Sequence, residues 1–134
     1  MRTSQANRNG DTPLCHASRH GHLDTVLELL SSGADLEAKS YEGNTPLSLA
    51  SHNGHLDVVQ ALLSAGAGGG SRDDRGNTSL SHASWQGYLD VVRALLVAGA
   101  DQETRNVEGD TPTSLASANG HLDVVRALLA FDSV

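Results

Sequence analysis

One spacing governs the chain: its glycines recur every 33 residues. Gly10, Gly43, Gly76 and Gly109 form one series and Gly21, Gly54, Gly87 and Gly120 another, each at steps of 33. Cut at that period, the sequence falls into four gap-free rows, "NGDTPLCHASRHGHLDTVLELLSSGAD", "EGNTPLSLASHNGHLDVVQALLSAGAG", "RGNTSLSHASWQGYLDVVRALLVAGAD" and "EGDTPTSLASANGHLDVVRALLAFDSV". Two glycine series with one period constrain the fold more than any local motif does, because such a repeat signifies one supersecondary unit stacked on copies of itself. The 134 residues suit a single domain over 1–134, with repeats at approximately 7–39, 40–72, 73–105 and 106–134.

Each row carries its own punctuation. In the second, Gly43 supplies a positive-φ turn, Thr45 an N-cap and Pro46 the first helical position, where a missing N–H costs nothing. A short helix with Leu47, Leu49 and Ala50 follows, and Gly54 ends it in a left-handed cap after roughly two turns. The next helix holds Leu56, Val59 and Leu63 at i, i+3, i+7, with Val58 and Leu62 as a further stripe, so it buries a wide face. Asp57 complements its dipole and Gly66 marks its end. Helices this short are marginal alone. Stacking four pairs buries their apolar faces, and the small Ala17, Ala50, Ala83 and Ala116 let the first helices approach closely. The fold class that follows is an all-α repeat solenoid. Aromatic residues are only 3% of the chain, so Leu, Val and Ala must build its core.

A 33-residue unit in which Thr-Pro-Leu opens one helix, Gly-His-Leu opens a second and Gly-Ala-Asp closes the row resembles the ankyrin repeat. The likeness covers roughly residues 7 to 131 and recurs in register as "TPLCHA", "TPLSLA", "TSLSHA" and "TPTSLA". It implies ankyrin-type helix-turn-helix pairs with projecting hairpin loops, stacked into a curved array that binds through its concave surface and hairpin tips. The chain departs from the family pattern in three ways. Cys15, Ser48, Ser81 and Ser114 stand where the family commonly has a histidine bonded within the turn, so that network must be rewired. Glu37, Gly70 and Glu103 replace a hairpin asparagine that many members present for hydroxylation, so no such modification is expected there. "GAGGGS" at 66–71 aligns with "GADLEA" at 33–38 and "GADQET" at 99–104, which makes it a hairpin rather than a linker. It lacks the Lys followed by Ser or Thr that a phosphate loop needs. Gly68, Gly69 and Gly70 should loosen this hairpin, next to a third row that also departs at Ser79 and Tyr88.

Charge and composition narrow the function. Nine Lys plus Arg against sixteen Asp plus Glu leave a net charge of -7, which repels nucleic acid and anionic membranes. No apolar stretch is long enough to span a bilayer, and "MRTSQANRNG" has no signal-peptide middle. The single Cys15 fits a reducing, intracellular setting, cytoplasmic or nuclear. His16 and His20, at i and i+4, have metal-ligand spacing but no third ligand, and His22, His55 and His121 recur where helix-start hydrogen bonding is expected. Cys15 reads as a small buried residue with no orienting acid. Neither metal, cofactor nor catalysis is expected.

Recognition remains. Positions that vary between rows while the framework repeats are the candidates for an exposed binding face. At the turns these are Arg8, Asn9 and Asp11; Tyr41, Glu42 and Asn44; Asp74, Arg75 and Asn77; Val107, Glu108 and Asp110. At the first-helix ends they are Arg19 and His20; His52 and Asn53; Trp85 and Gln86; Ala118 and Asn119. The expected function is a monomeric, non-catalytic protein-protein interaction module, and the alternative is a spacer segment of a longer repeat array. "ALLAFDSV" follows the last helix start without a polar capping row, which favours the spacer, as does apolar surface at Val124, Val125, Leu128 and Leu129. Trp85, the only tryptophan, stands where the other rows have Arg19, His52 and Ala118. A site that accepts a cation, an imidazole and a methyl group is an exposed one, and a tryptophan there has the makings of an interface anchor.

Overall fold

The computed structural model describes residues 11–132. Arg8 and Asn9 lie outside the described residues. Eight helices follow one another: α1 (Pro13–His20), α2 (Leu23–Ser31), α3 (Pro46–His52), α4 (Leu56–Ser64), α5 (Ser79–Gln86), α6 (Leu89–Val97), α7 (Pro112–Ala118) and α8 (Leu122–Asp132). No strand occurs among the described residues. Each odd-numbered helix packs on the even-numbered helix that follows it and on the next odd one, and each even helix packs on the next even one. This is the all-α solenoid of helix pairs that the period requires.

The helix starts are built as the sequence dictates. The side chains of Thr12, Thr45, Thr78 and Thr111 accept from the backbone N–H of Cys15, Ser48, Ser81 and Ser114, and proline fills the first turn of α1, α3 and α7. The vacated histidine position is rewired through hydroxyls. The Thr45 hydroxyl donates to Ser48 Oγ at 3.2 Å, and Ser48 Oγ meets Ser79 Oγ of the next repeat at 3.2 Å. Ser79, which replaces proline at the start of α5, thus adds a bond between repeats that proline has no means to make. The core is periodic too: Leu14, Leu47 and Leu80, then Val58, Val91 and Val124, then Leu62, Leu95 and Leu128 are all fully buried.

The repeated Gly-His dipeptide works differently from expectation. His22 and His55 make no side-chain bond at their own helix starts. Instead His55 Nε2–H donates to the backbone oxygen of Arg19 at 3.0 Å and His121 Nε2–H to that of Trp85 at 2.9 Å, both in the preceding repeat. Each ring lies across that repeat's glycine: a Cβ on Gly21 would stand 2.5 Å from the His55 ring, and one on Gly87 2.5 Å from the His121 ring. Gly21 and Gly87 also have φ of 71° and 81°. Two demands therefore fix glycine there, a left-handed helix end and a flat seat for the next repeat's ring.

The connections close as tight turns. Ser40 N–H donates to Asn44 O at 2.9 Å, Asp73 N–H to Asn77 O at 3.0 Å and Asn106 N–H to Asp110 O at 3.0 Å. Successive tips are tied by backbone bonds, Asp74 N–H to Glu42 O at 3.0 Å and Val107 N–H to Arg75 O at 2.9 Å. In the glycine-rich hairpin, Gly68 N–H donates to the Glu37 carboxylate at 2.9 Å, so one of its glycines is anchored by the preceding repeat.

Candidate functional site

Repetition gives the array a ruled surface. Residues 33 apart stand side by side on neighbouring repeats, and the C-terminal halves of α1, α3, α5 and α7 face the turn tips across a groove. A cavity of about 360 Å³ opens there. Of the expected contact residues, Arg19, Glu42, Asn44, His52, Arg75, Asn77, Trp85 and Glu108 line it. Trp85 is 44% exposed, so the expectation of an exposed tryptophan holds.

Several expected residues are placed elsewhere. Asp11 is buried, and its carboxylate grips the Arg19 guanidinium at 2.9 and 3.1 Å. This corrects the reading of Asp11 as a surface contact: a bidentate partner eight residues away pulled it inward, and the pairing holds Arg19 charged. Asn53 folds back to donate to Leu49 O at 2.8 Å, and Asn119 donates to Trp85 O at 2.8 Å. Gln86 reaches His52 from behind the lining. His20, Tyr41, Asp74, Val107, Ala118 and Asn119 are exposed without lining the cavity, and Asp110 is half-buried beside it.

The groove also contains residues that were not expected. Leu49, His82 and Leu115 line it from one helix position, and Asp73 and Asn106 from one turn position. The helix position was detectable: His16, Leu49, His82 and Leu115 vary between rows as freely as the chosen positions do. The turn position varies between rows too, as Ser40, Asp73 and Asn106, but the side chains of Asp73 and Asn106 are occupied in closing the turns. Asp73 Oδ1 accepts from the N–H groups of Arg75 and Asn77 at 3.0 and 2.9 Å, while Asn106 Oδ1 accepts from Glu108 and Asp110 at 3.0 and 2.9 Å.

At the centre, five side chains are linked, Asp73 and Asn44 to His82, His82 to His52 and His52 to Gln86. His82 Nε2 faces two acceptors, Asp73 Oδ2 at 2.9 Å and Asn44 Oδ1 at 3.2 Å, so it carries a proton. In the neutral ring Nδ1 is then an acceptor, and it receives the Nδ1–H of His52 at 3.1 Å. That leaves His52 Nε2 to accept from the Gln86 amide at 3.5 Å. Only one proton fits between the two Nδ1 atoms. Burial, reinforced by His82 and Arg19 and opposed by Glu42 and Asp73, pushes the His52 imidazole below its ordinary value. The linked set ends on an amide rather than a nucleophile, so it positions side chains in the groove floor. The described residues contain no group of three His, Cys, Asp or Glu arranged to hold a metal ion. Cys15 is fully buried with its thiol donating to Ala38 O at 3.3 Å, and burial pushes its pKa up.

Comparison with known families agrees with this geometry. The model for ankyrin repeats in three copies matches residues 37–106 and again 69–133, and the single ankyrin repeat model matches residues 9–41. No curated protein matches the chain. No helix among the described residues is long and apolar enough to cross a membrane.

Proposed function

The chain belongs to the ankyrin repeat family, and from that premise we propose that it is a non-catalytic protein-binding module, gripping its partner through the concave groove and the turn tips. Ankyrin repeats generally serve protein-protein interaction. The observation that carries the reading is Trp85: it lines the groove while 44% exposed, which leaves part of a large apolar side chain with a polar N–H available to a partner. The inert environment of Cys15 supports a role without chemistry, since a reactive thiol needs a lowered pKa and access. We read the module as monomeric and intracellular, in keeping with one buried thiol and a net charge of -7.

Trp85→Ala tests the reading. Binding to the physiological partner should weaken by about 2 kcal/mol or more, roughly thirtyfold, with the unfolding midpoint nearly unchanged. Intact binding with a marked loss of stability would make Trp85 a packing residue. A groove indifferent to Trp85→Ala in every binding assay would favour the spacer.

A further inference from the structure

We propose that the groove takes an extended, polyproline-type segment with basic side chains at both ends and an acidic one midway. The inference rests on the reading of this face as a protein-binding surface and adds the chemistry of the partner. Glu42, Arg75 and Glu108 hold one place in three consecutive repeats, line the same groove and are exposed. Of the groove's other charged side chains, Arg19 is paired with Asp11, and the Asp73 carboxylate is engaged by hydrogen bonds from His82 and from the N–H groups of Arg75 and Asn77. No ion pair engages Glu42, Arg75 or Glu108 among the described residues. What the groove offers is therefore minus, plus, minus, in a line across three turn tips.

The spacing of that line selects the partner's conformation. Neighbouring helices pack about 8–10 Å apart, so the tips step by about that distance. A polyproline II helix turns once in about three residues and about 9.3 Å, which brings every third side chain to the same face. A β-strand has a similar rise, but side chains three apart point to opposite faces and miss the line. A segment of the form basic-x-x-acidic-x-x-basic in the polyproline II conformation meets all three charges together. Trp85 and Leu49 supply the apolar floor on which its prolines lie, as aromatic-lined grooves do for such helices.

The peptide GKPPDPPKG and its charge-swapped counterpart GDPPKPPDG test this at low ionic strength, with the fluorescence of Trp85, the only tryptophan, as the reporter. The first should bind about tenfold or more tighter than the other, since three exposed contacts turn from attraction to repulsion. The triple variant Glu42→Lys, Arg75→Glu, Glu108→Lys should reverse that preference while its circular dichroism stays unchanged. Equal binding of the two peptides, or a preference the triple variant leaves intact, overturns the charge register but keeps the groove as a peptide surface. If neither peptide binds, the proposal falls, and selection from a random peptide library then decides the wider reading. Ligands lost on Trp85→Ala would keep the binding groove, whereas no such ligands would remove it as well.

Discussion

The outer junctions between repeats and the central one do the same job with different bonds. Where the second repeat meets the first and the fourth meets the third, a histidine ring covers a glycine and donates to a backbone oxygen. At the central junction Tyr88 takes that seat, with its ring 2.9 Å from where a Cβ on Gly54 would stand, and no such bond to the backbone is made. The central junction is instead tied on the groove side, by Ser48 to Ser79, by His52 to His82 and by His82 to Asn44. Drift in a repeat is thus tolerated when the lost bond is replaced elsewhere on the same interface. Here the replacement sits in the floor of the groove, which links the stability of the middle of the array to the shape of its candidate site.

The glycine seats give the largest way to break this comparison. Gly87→Ala adds a methyl group against the His121 ring to the cost of a left-handed alanine, and should destabilise by about 3 kcal/mol in urea unfolding. Gly99→Ala, at φ 94° with nothing within 4 Å, should cost only about 1 kcal/mol. Equal costs would mean that the rings do not rest on the glycines. Next comes the ring bond itself. His121→Ala should lose about 1.5 kcal/mol, and Tyr88→His should gain up to about 1 kcal/mol by giving the central junction the missing donor. A loss on Tyr88→His would show that the tyrosine seat has its own packing logic.

Three serines sharpen the comparison further. The hydroxyls of Ser18, Ser51 and Ser84, one in each of the first three repeats, are buried with no partner among the described residues, while the equivalent Ser117 is exposed. An unpaired buried hydroxyl is a standing cost, so Ser51→Ala and Ser84→Ala should each stabilise by about 1 kcal/mol, and Ser117→Ala should do nothing measurable in thermal unfolding. The smallest effect is on pH. Because His52 is pushed below its ordinary value of 6.5 in the fold, its contribution is fully present above that value and is lost as pH falls through the lowered one. Hydrogen-exchange protection factors around α3 and α5, corrected for the intrinsic pH dependence of exchange, should therefore fall below about pH 6.5 more than at the outer junctions. His52→Leu should flatten the difference, and a uniform acid response along the array would contradict it.

The elements of this protein were legible because their signals are local and repeated four times. Threonine caps, first-turn prolines and the glycine helix ends each act within one turn of backbone, so their spacing specified the helix pairs without reference to neighbours. The exposed Trp85 was legible for a related reason: a position that changes freely between rows is not dictated by packing. Only the tertiary structure decided that His55 and His121 bond backward to the preceding row, that Asp11 turns inward to Arg19 within its own row, and that His52 meets His82 across the central junction. Most of these contacts join residues about one repeat apart, where a few tenths of an ångström separate a bond from a gap. Helix propensity and periodicity carry no information at that precision, because they report which face is buried and not which atom lies opposite.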